Sequence, residues 1–268
     1  MERPETGPEL DSADLDRPSP ARIYDYLLGG AHNFASDRAA GERAAATMPT
    51  LTAAIRANRG FLRRVVVRLA GTLGITQFLD LGSGIPTVGN VHEIAQHQSP
   101  GSRVLYVDID PVAVAHARHI LSGNPLAETI QCDFRDPAAV LDHPALTDLL
   151  DLNRPVAVLM NAVLHFVPDE QDPGGIIDGY VEHLVPGSYL AVSHAAPDPD
   201  HPREQEAMVE DYRRTTGAEF INRSADTIAG WLHGLDIEPP GIVPVNEWYP
   251  DTAAEPILRT YGVLARKP

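Results

Sequence analysis

Cysteine is nearly absent from this 268-residue chain, with Cys132 its single instance. That excludes an intrachain disulfide and a cluster of metal-bound thiolates. Positive charge is scarce as well: 21 Lys and Arg stand against 37 Asp and Glu, a formal net charge of -16. A partner gripped through its phosphates needs clustered Lys and Arg, so nucleic acid is disfavoured and a small molecule is the expected partner. No stretch is long and apolar enough to span a bilayer. The first 20 residues are acidic and proline-rich, without the basic start and apolar stretch of a secretory signal. These absences predict a cytoplasmic protein with no membrane partner. Internal repeats are missing too, and nothing decides oligomeric state, so a homodimer stays open.

What the chain does have is an ordinary hydrophobic fraction, 43%, and a length that fits one α/β domain with additions. Residues 1–19 read as a disordered arm and residues 20–74 as a helical cap or lid. In the cap, PARIYDYLLGG sets Ile23, Tyr26 and Leu27 at helical spacing before a Gly29–Gly30 stop. Ser36 is the expected cap of a second helix that ends before Pro49. A third, from about Leu51 to Leu73, repeats apolar residues at Ile55, Leu62, Val66 and Leu69. From residue 75 to residue 268 the pattern changes. QFLDLG, VLYVDI, AVLMNA and YLAVSHA are short apolar runs separated by helical stretches, the alternation of parallel strands with crossovers. Strands are expected at 76–81, 103–107, 128–132, 155–161 and 188–194. Helices fill the gaps at 90–97, 111–121, 138–150 and 173–184, and a long one follows at about 202–215. IVPVNEWY and RTYGVLARK read as antiparallel strands closing one edge. The fold class is α/β, a Rossmann-like, mostly parallel sheet with an N-terminal helical cap.

In such a sheet, ligands bind outside the carboxyl ends of the strands. The first end carries Asp80, Gly82, Ser83 and Gly84 in DLGSG, where glycines let the backbone approach a ligand closely. The second carries Asp108 and Asp110, and a carboxylate there can take both hydroxyls of a ribose. Asp133 ends the third, Asn161 the fourth, and His165 follows close behind. A bound NAD wants G-x-G-x-x-G running into a helix. This loop reads GSGIPTVG, with the third glycine misplaced and Pro86 inside it. Asp80 also sets negative charge where a pyrophosphate would lie. S-adenosylmethionine, with a ribose, an adenine, an α-amino group and no phosphate, matches better.

DLGSG, YVDIDP and CDFRD resemble the class I, Rossmann-like S-adenosylmethionine-dependent methyltransferases. More narrowly, PSPARIYDYLLGGAHNFASDR, FLDLGSGIPTVGNVHEIAQ, VLYVDIDPVAVAHAR, VLHFVPDEQDPGGI and PGSYLAVSHA are similar to an actinobacterial S-adenosyl methyltransferase family whose substrate is generally unassigned. The likeness runs from Pro18 to about Asp251. It implies S-adenosylmethionine as cofactor and S-adenosylhomocysteine as product. It sets Asp80 and its glycines at the methionine moiety, Asp108 at the ribose, Ile109 against the adenine ring, and Asp133, with Phe134 beside it, at the adenine amine. Asn161 stands where the family often has an aliphatic residue and is assigned to cofactor or acceptor alike.

The cap then gains a purpose. Arg22, Tyr24, Tyr26, Asn33, Phe34 and Asp37 are more aromatic and polar than a connector requires, and could close the cofactor site. In that reading Arg22 pairs with the methionine carboxylate. The plainer alternative packs the aromatics on the core and leaves Arg22 solvated. His165 and His194 are the candidate general bases for a hydroxyl or amine nucleophile. His92 and Glu93 lack the second histidine of H-E-x-x-H, so no metal is expected, and Cys132 reads as core. The expected activity is methyl transfer to a small molecule. The rival is a non-catalytic protein that binds the same cofactor as a sensor or assembly partner.

Overall fold

The computed structural model of the chain describes residues 17–86, 89–250 and 257–268. Three helices open it: α1 (Pro20–Leu27), α2 (Ala35–Thr47) and α3 (Leu51–Val67), whose last turn widens into a π-helix over Arg68–Thr72. Asp37 starts α2, accepting the Phe34 amide at 2.8 Å, so the cap comes from the third residue of the helix and not from Ser36.

The strands follow as β1 (Gln77–Leu81), β2 (Arg103–Asp108), β3 (Ala127–Gln131), β4 (Ala157–Asn161) and β5 (Tyr189–Ala195). Between them lie α4 (Val91–Gln98), α5 (Pro111–Ile120), α6 (Pro137–Leu141), α7 (Pro144–Leu149) and α8 (Pro173–Val181). The helix expected over 138–150 is two, broken where Pro144 restarts the chain with the His143 ring as cap. After β5 come α9 (Pro202–Thr216), α10 (Ala225–Trp231), the two-residue strands β6 (Asp236–Ile237) and β7 (Val243–Pro244), and β8 (Thr260–Arg266).

The sheet runs β3-β2-β1-β4-β5-β8-β6, with β7 also on β8. The first five strands are parallel and β8 enters antiparallel to β5. Chain order reverses between β1 and β4, which opens a crevice at their carboxyl ends. Both faces are covered, so β1 and β5 are buried along their whole length. Alternation sends Phe78 to the face shared with Phe61, Val65 and Val66 of α3, and Leu79 and Leu81 to the face under α6, α8 and α10. The same period turns Asp80 toward α3. The core thus continues from α3 through Ile75 into the sheet.

The arm expected over 1–19 falls mainly outside the described residues. Its end is held: the Ser19 amide donates to Asp37 at 2.9 Å, its hydroxyl to Asp110, and Arg22 donates to the Arg17 carbonyl.

Candidate functional site

A cavity of about 560 Å³ opens at the crevice and continues under the cap. Its floor is the glycine loop. Gly82 and Gly84 have φ of 65° and 61°, and a methyl on Gly82 would come within 2.1 Å of the Val163 side chain. Only glycine meets both demands there. The loop is pinned to β2: the amides of Gly82 and Ser83 donate to the Val107 carbonyl, and that of Gly84 to Asp108 at 2.7 Å. Asp108 also accepts the Asp110 amide at 2.9 Å on its other oxygen. The carboxylate lines the cavity and keeps acceptor capacity for a ligand hydroxyl. Asp110 caps α5 through the Val112 and Ala113 amides.

The cap lies across these strand ends, Ala21 touching the space above Gly84. Its side chains are not disposed as the sequence predicts. Arg22, expected on the cofactor, is buried between Asp37 at 2.9 Å and Asp110 at 3.5 Å and does not line the cavity. It joins the cap to the β2 end. Tyr26 points away, hydrogen-bonded to Glu42, its ring against Gly41. Asn33 ties the α1–α2 turn, donating to Asp25 and to the Gly30 carbonyl at 2.9 Å each. Tyr24 does line the cavity, its hydroxyl accepting from Asn58 at 2.9 Å. Beside it is a residue the sequence reading missed. Arg59 of α3 lies over the Tyr24 ring, 5.6 Å from its centroid, and lines the cavity near Asp80. Its Nε is buried with no hydrogen-bond partner among the described residues.

At the β4 end, Asn161 accepts the Ser193 hydroxyl at 2.8 Å and faces the cavity. The next residue, Ala162, takes φ of 56°, a left-handed conformation that costs a residue with a Cβ energy. Its amide donates to the Ser193 hydroxyl at 2.9 Å, which holds the turn and swings the following 3₁₀ turn over the cavity. His165 lies there, buried, in the cavity wall; among the described residues neither ring nitrogen has a hydrogen-bond partner. His194 is different and is no candidate base. Its Nδ1 donates to the Ala195 carbonyl at 2.7 Å, its Nε2 takes the Arg223 guanidinium at 3.2 Å, and it does not reach the cavity. Arg223 also binds the Leu164 and Val167 carbonyls and Asp169, fastening the His165 turn to β5.

On the β2–β3 side, Ile109 is 56% exposed at the cavity's edge, an apolar surface facing Phe134 and Asp133 across the strand ends. Asp133 is held by Arg135 through contacts of 2.6 to 3.0 Å. Burial alone would raise its carboxyl, and the hydrogen bonds from Arg135 outweigh it and hold the group below its usual range. The pair is more than one-third exposed on the cation side, so a ligand amine can displace it cheaply. His92 is away from ligand space: the Tyr106 hydroxyl receives its amide and meets its Nδ1 at 2.8 Å. Among the described residues no cluster of His, Cys, Asp and Glu could hold a metal, and no helix is long and apolar enough to cross a membrane. Cys132 is half-buried against the core.

The S-adenosyl methyltransferase family model matches residues 6–268 of the chain. The chain belongs to that family. A DUF574 family protein of Streptomyces avermitilis has a similar structure, with 41% identity, TM-score 0.90 and coverage of 95% of this chain and 99% of its own. A Thermobifida fusca protein assigned as a methyltransferase matches at 35% identity and TM-score 0.88, over 95% of this chain and 96% of its own. An Anabaena variabilis SAM-dependent methyltransferase shares the fold at 12% identity and TM-score 0.53, over 77% and 84%. No curated protein matches the chain. The protein is a SAM-dependent methyltransferase with S-adenosylmethionine as cofactor.

The residues present fit that cofactor. Asp80 offers an acid to an ammonium, Arg59 a guanidinium whose Nε has no hydrogen-bond partner among the described residues to a carboxylate, Asp108 a carboxylate to a diol, and Ile109 an apolar flank to a purine. Acid and guanidinium feel each other without an ion pair between them among the described residues, the arrangement an amino-acid zwitterion completes.

Burial pushes the Asp80 carboxyl up to about 7, with Arg59 pulling it down and Asp108 pushing it up. Burial raises Asp108 to about 6, against the hydrogen bonds from the Asp110 and Gly84 amides. A raised acid in the folded state binds protons that the unfolded chain has lost, so ligand-free stability should fall as pH climbs from about 4 to about 7. Cofactor affinity should move the other way, rising through about pH 7 as Asp80 ionises. Calorimetric titration of S-adenosylhomocysteine across this range checks it. Asp80→Asn should remove the acid limb; an unchanged limb would take Asp80 out of the site.

Proposed function

We propose a cytoplasmic enzyme that methylates a small molecule bound beside the cofactor, between the strand ends and the helical cap. The observation that carries this reading is the continuity of the cavity: it runs from Asp80 and Asp108 past Asn161 and His165 to the walls of α1, α3 and α9. A protein that only held the cofactor would have no use for the farther half. When bound, the cofactor supplies a methyl group on a sulfonium.

The chain's own residues divide the work as follows. Asp80 takes the α-amino group and Arg59 the carboxylate, so the amino-acid end is fixed at both charges. Asp108 takes the ribose hydroxyls. Ile109 and Phe134 flank the adenine, and Asp133 receives its amine in exchange for Arg135. The glycine loop, including Ser83, keeps side chains out of the space above β1. Asn161, its oxygen occupied by Ser193, turns its amide NH₂ to the ligand. Tyr24 supports Arg59. His165 takes the acceptor's proton, and the cap excludes water.

Arg59→Gln tests the division. It should weaken S-adenosylhomocysteine about tenfold, ~1.4 kcal/mol, with little change in the melting of the free protein, since the Nε has no hydrogen-bond partner among the described residues to lose. Equal affinity would return the carboxylate to another group. If the unsubstituted chain failed to bind S-adenosylhomocysteine at all, the whole assignment would go.

A further inference from the structure

Four rings meet where the cavity passes under the cap. Phe220 lies 4.5 Å from His165 and 5.6 Å from Tyr212, centroid to centroid, and Phe166 lies 5.8 Å from Phe220 and 6.1 Å from Tyr212. All four line the cavity, with Met208 and Leu51 completing an apolar wall. Two of the rings carry polar atoms with nothing to bind. Neither nitrogen of His165 is hydrogen-bonded among the described residues, its Nδ1 being buried outright, and the Tyr212 hydroxyl has no partner among them either. A buried acceptor left unmatched, as the His165 Nδ1 is among the described residues, costs free energy until a ligand supplies its complement, and the half-buried Tyr212 hydroxyl beside the cavity is free to join it.

We propose that the acceptor is an uncharged phenol, its ring held among Phe166, Tyr212 and Phe220 and its hydroxyl set between His165 and Tyr212; this deepens the methyl-transfer reading above and rests on it.

A phenol answers both vacancies with one oxygen: its O–H donates to the imidazole, and its lone pair accepts from the Tyr212 hydroxyl. The protonation states agree. Burial, with His194 and Arg223 adding to it, holds His165 well below its usual range, so the ring is neutral and can accept. Burial pushes the Tyr212 hydroxyl up, so it remains a donor. Faces and edges of the three carbocyclic rings favour offset or edge contact with another ring over contact with an open chain.

Other acceptor classes fit less well. A carboxylate would meet Glu219 in the wall beside these rings, while Arg59 and Arg135 stand on the cofactor side and Arg17, against Gly217, does not line the cavity. An ammonium would be drawn to the rings, but it has no lone pair for attack and is repelled by the sulfonium. An aliphatic alcohol would satisfy the hydrogen bonds and waste the ring faces. The step balances with groups already named. The phenol oxygen forms the new bond to the methyl carbon, the carbon–sulfur bond breaks with its pair going to sulfur, and the phenol proton passes to His165 and on to water. The products are an aryl methyl ether and a neutral thioether.

Calorimetry on the full chain loaded with S-adenosylhomocysteine tests the proposal without turnover, using naphthol, naphthoate, cyclohexanol and benzylamine as probes. Naphthol should bind, at least tenfold more tightly than the other three, and with S-adenosylmethionine should yield its methyl ether by mass spectrometry. Tyr212→Phe, which keeps the ring, and Phe220→Ala should each weaken naphthol at least tenfold and leave S-adenosylhomocysteine affinity as it was. If S-adenosylhomocysteine binds and naphthol does not, or if naphthoate or benzylamine binds best, the phenol is wrong and methyl transfer stands. If S-adenosylhomocysteine itself does not bind, both fall together.

Discussion

Asp108→Ala should cost the protein about 1.5–3 kcal/mol of cofactor affinity, the range for hydrogen bonds to a charged group, or ~10–150-fold in Kd. The expectation rests on the place of Asp108 in the cavity wall at the β2 end, with the Gly84 and Asp110 amides fixing its carboxylate. Those amides also complicate the result, because the substitution leaves both without their acceptor. Two effects then oppose each other in the free protein. Loss of the acceptor destabilises the glycine loop, whereas removal of a carboxylate that burial has pushed up to about 6 relieves a desolvation cost. The melting temperature should accordingly move little while affinity falls steeply. Titration of S-adenosylhomocysteine and a melt of the ligand-free protein decide it together. A variant that melts far lower and binds as before would make Asp108 a strut of the loop alone.

The strand ends were legible because the signal is local. A short apolar run followed by an acid or a glycine marks the carboxyl end of a buried strand, and QFLDLG, VLYVDI and AVLMNA place Asp80, Asp108 and Asn161 within a residue of where β1, β2 and β4 end. The cap was legible as helices and not as chemistry. Nothing in PARIYDYLL distinguishes an arginine that meets a ligand from one that meets Asp37, 15 residues on, and Asp110, across the fold. Chain pattern records which face of a helix is buried; it does not record which distant carboxylate shares that burial. Arg59 did leave a trace. It falls in the sequence stripe of Ile55, Leu62 and Val66, beside the face of α3 that buries Ala54, Asn58, Phe61 and Val65, and a guanidinium in an apolar stripe needs either a partner or a ligand. Tyr212 and Phe220 left none, because α9 and the segment after it meet His165 only through tertiary folding.

Arg22→Ala carries the largest expected effect, and on stability. Arg22 is 1% exposed and Asp37 0%; removing the cation leaves a buried carboxylate uncompensated, a loss of about 3–5 kcal/mol. The Ser19 and Phe34 amides still donate to Asp37, so the damage concentrates between the cap and Asp110 at the β2 end, where the Ser19 hydroxyl remains as a second tie. The buried clusters beneath α1 and α2 are small, Ile23, Leu27 and Ala40 in one and Ala44 and Met48 with Ala54, Met208 and Leu258 in the other, so losing the ion pair loosens the cap. The variant should therefore open locally before it unfolds globally. Proteolysis within residues 17–34 should accelerate, and cofactor affinity should drop only by the fraction of molecules whose cap is open. A double-mutant cycle separates this from direct ligand contact. Arg22→Ala with Asp37→Ala should be markedly less destabilising than the sum of the two single changes, since neither then strands a buried charge. If Arg22→Ala instead leaves the free protein's melting and proteolysis untouched while abolishing S-adenosylhomocysteine binding, Arg22 holds the ligand, and the ion pair with Asp37 gives way when the cofactor enters.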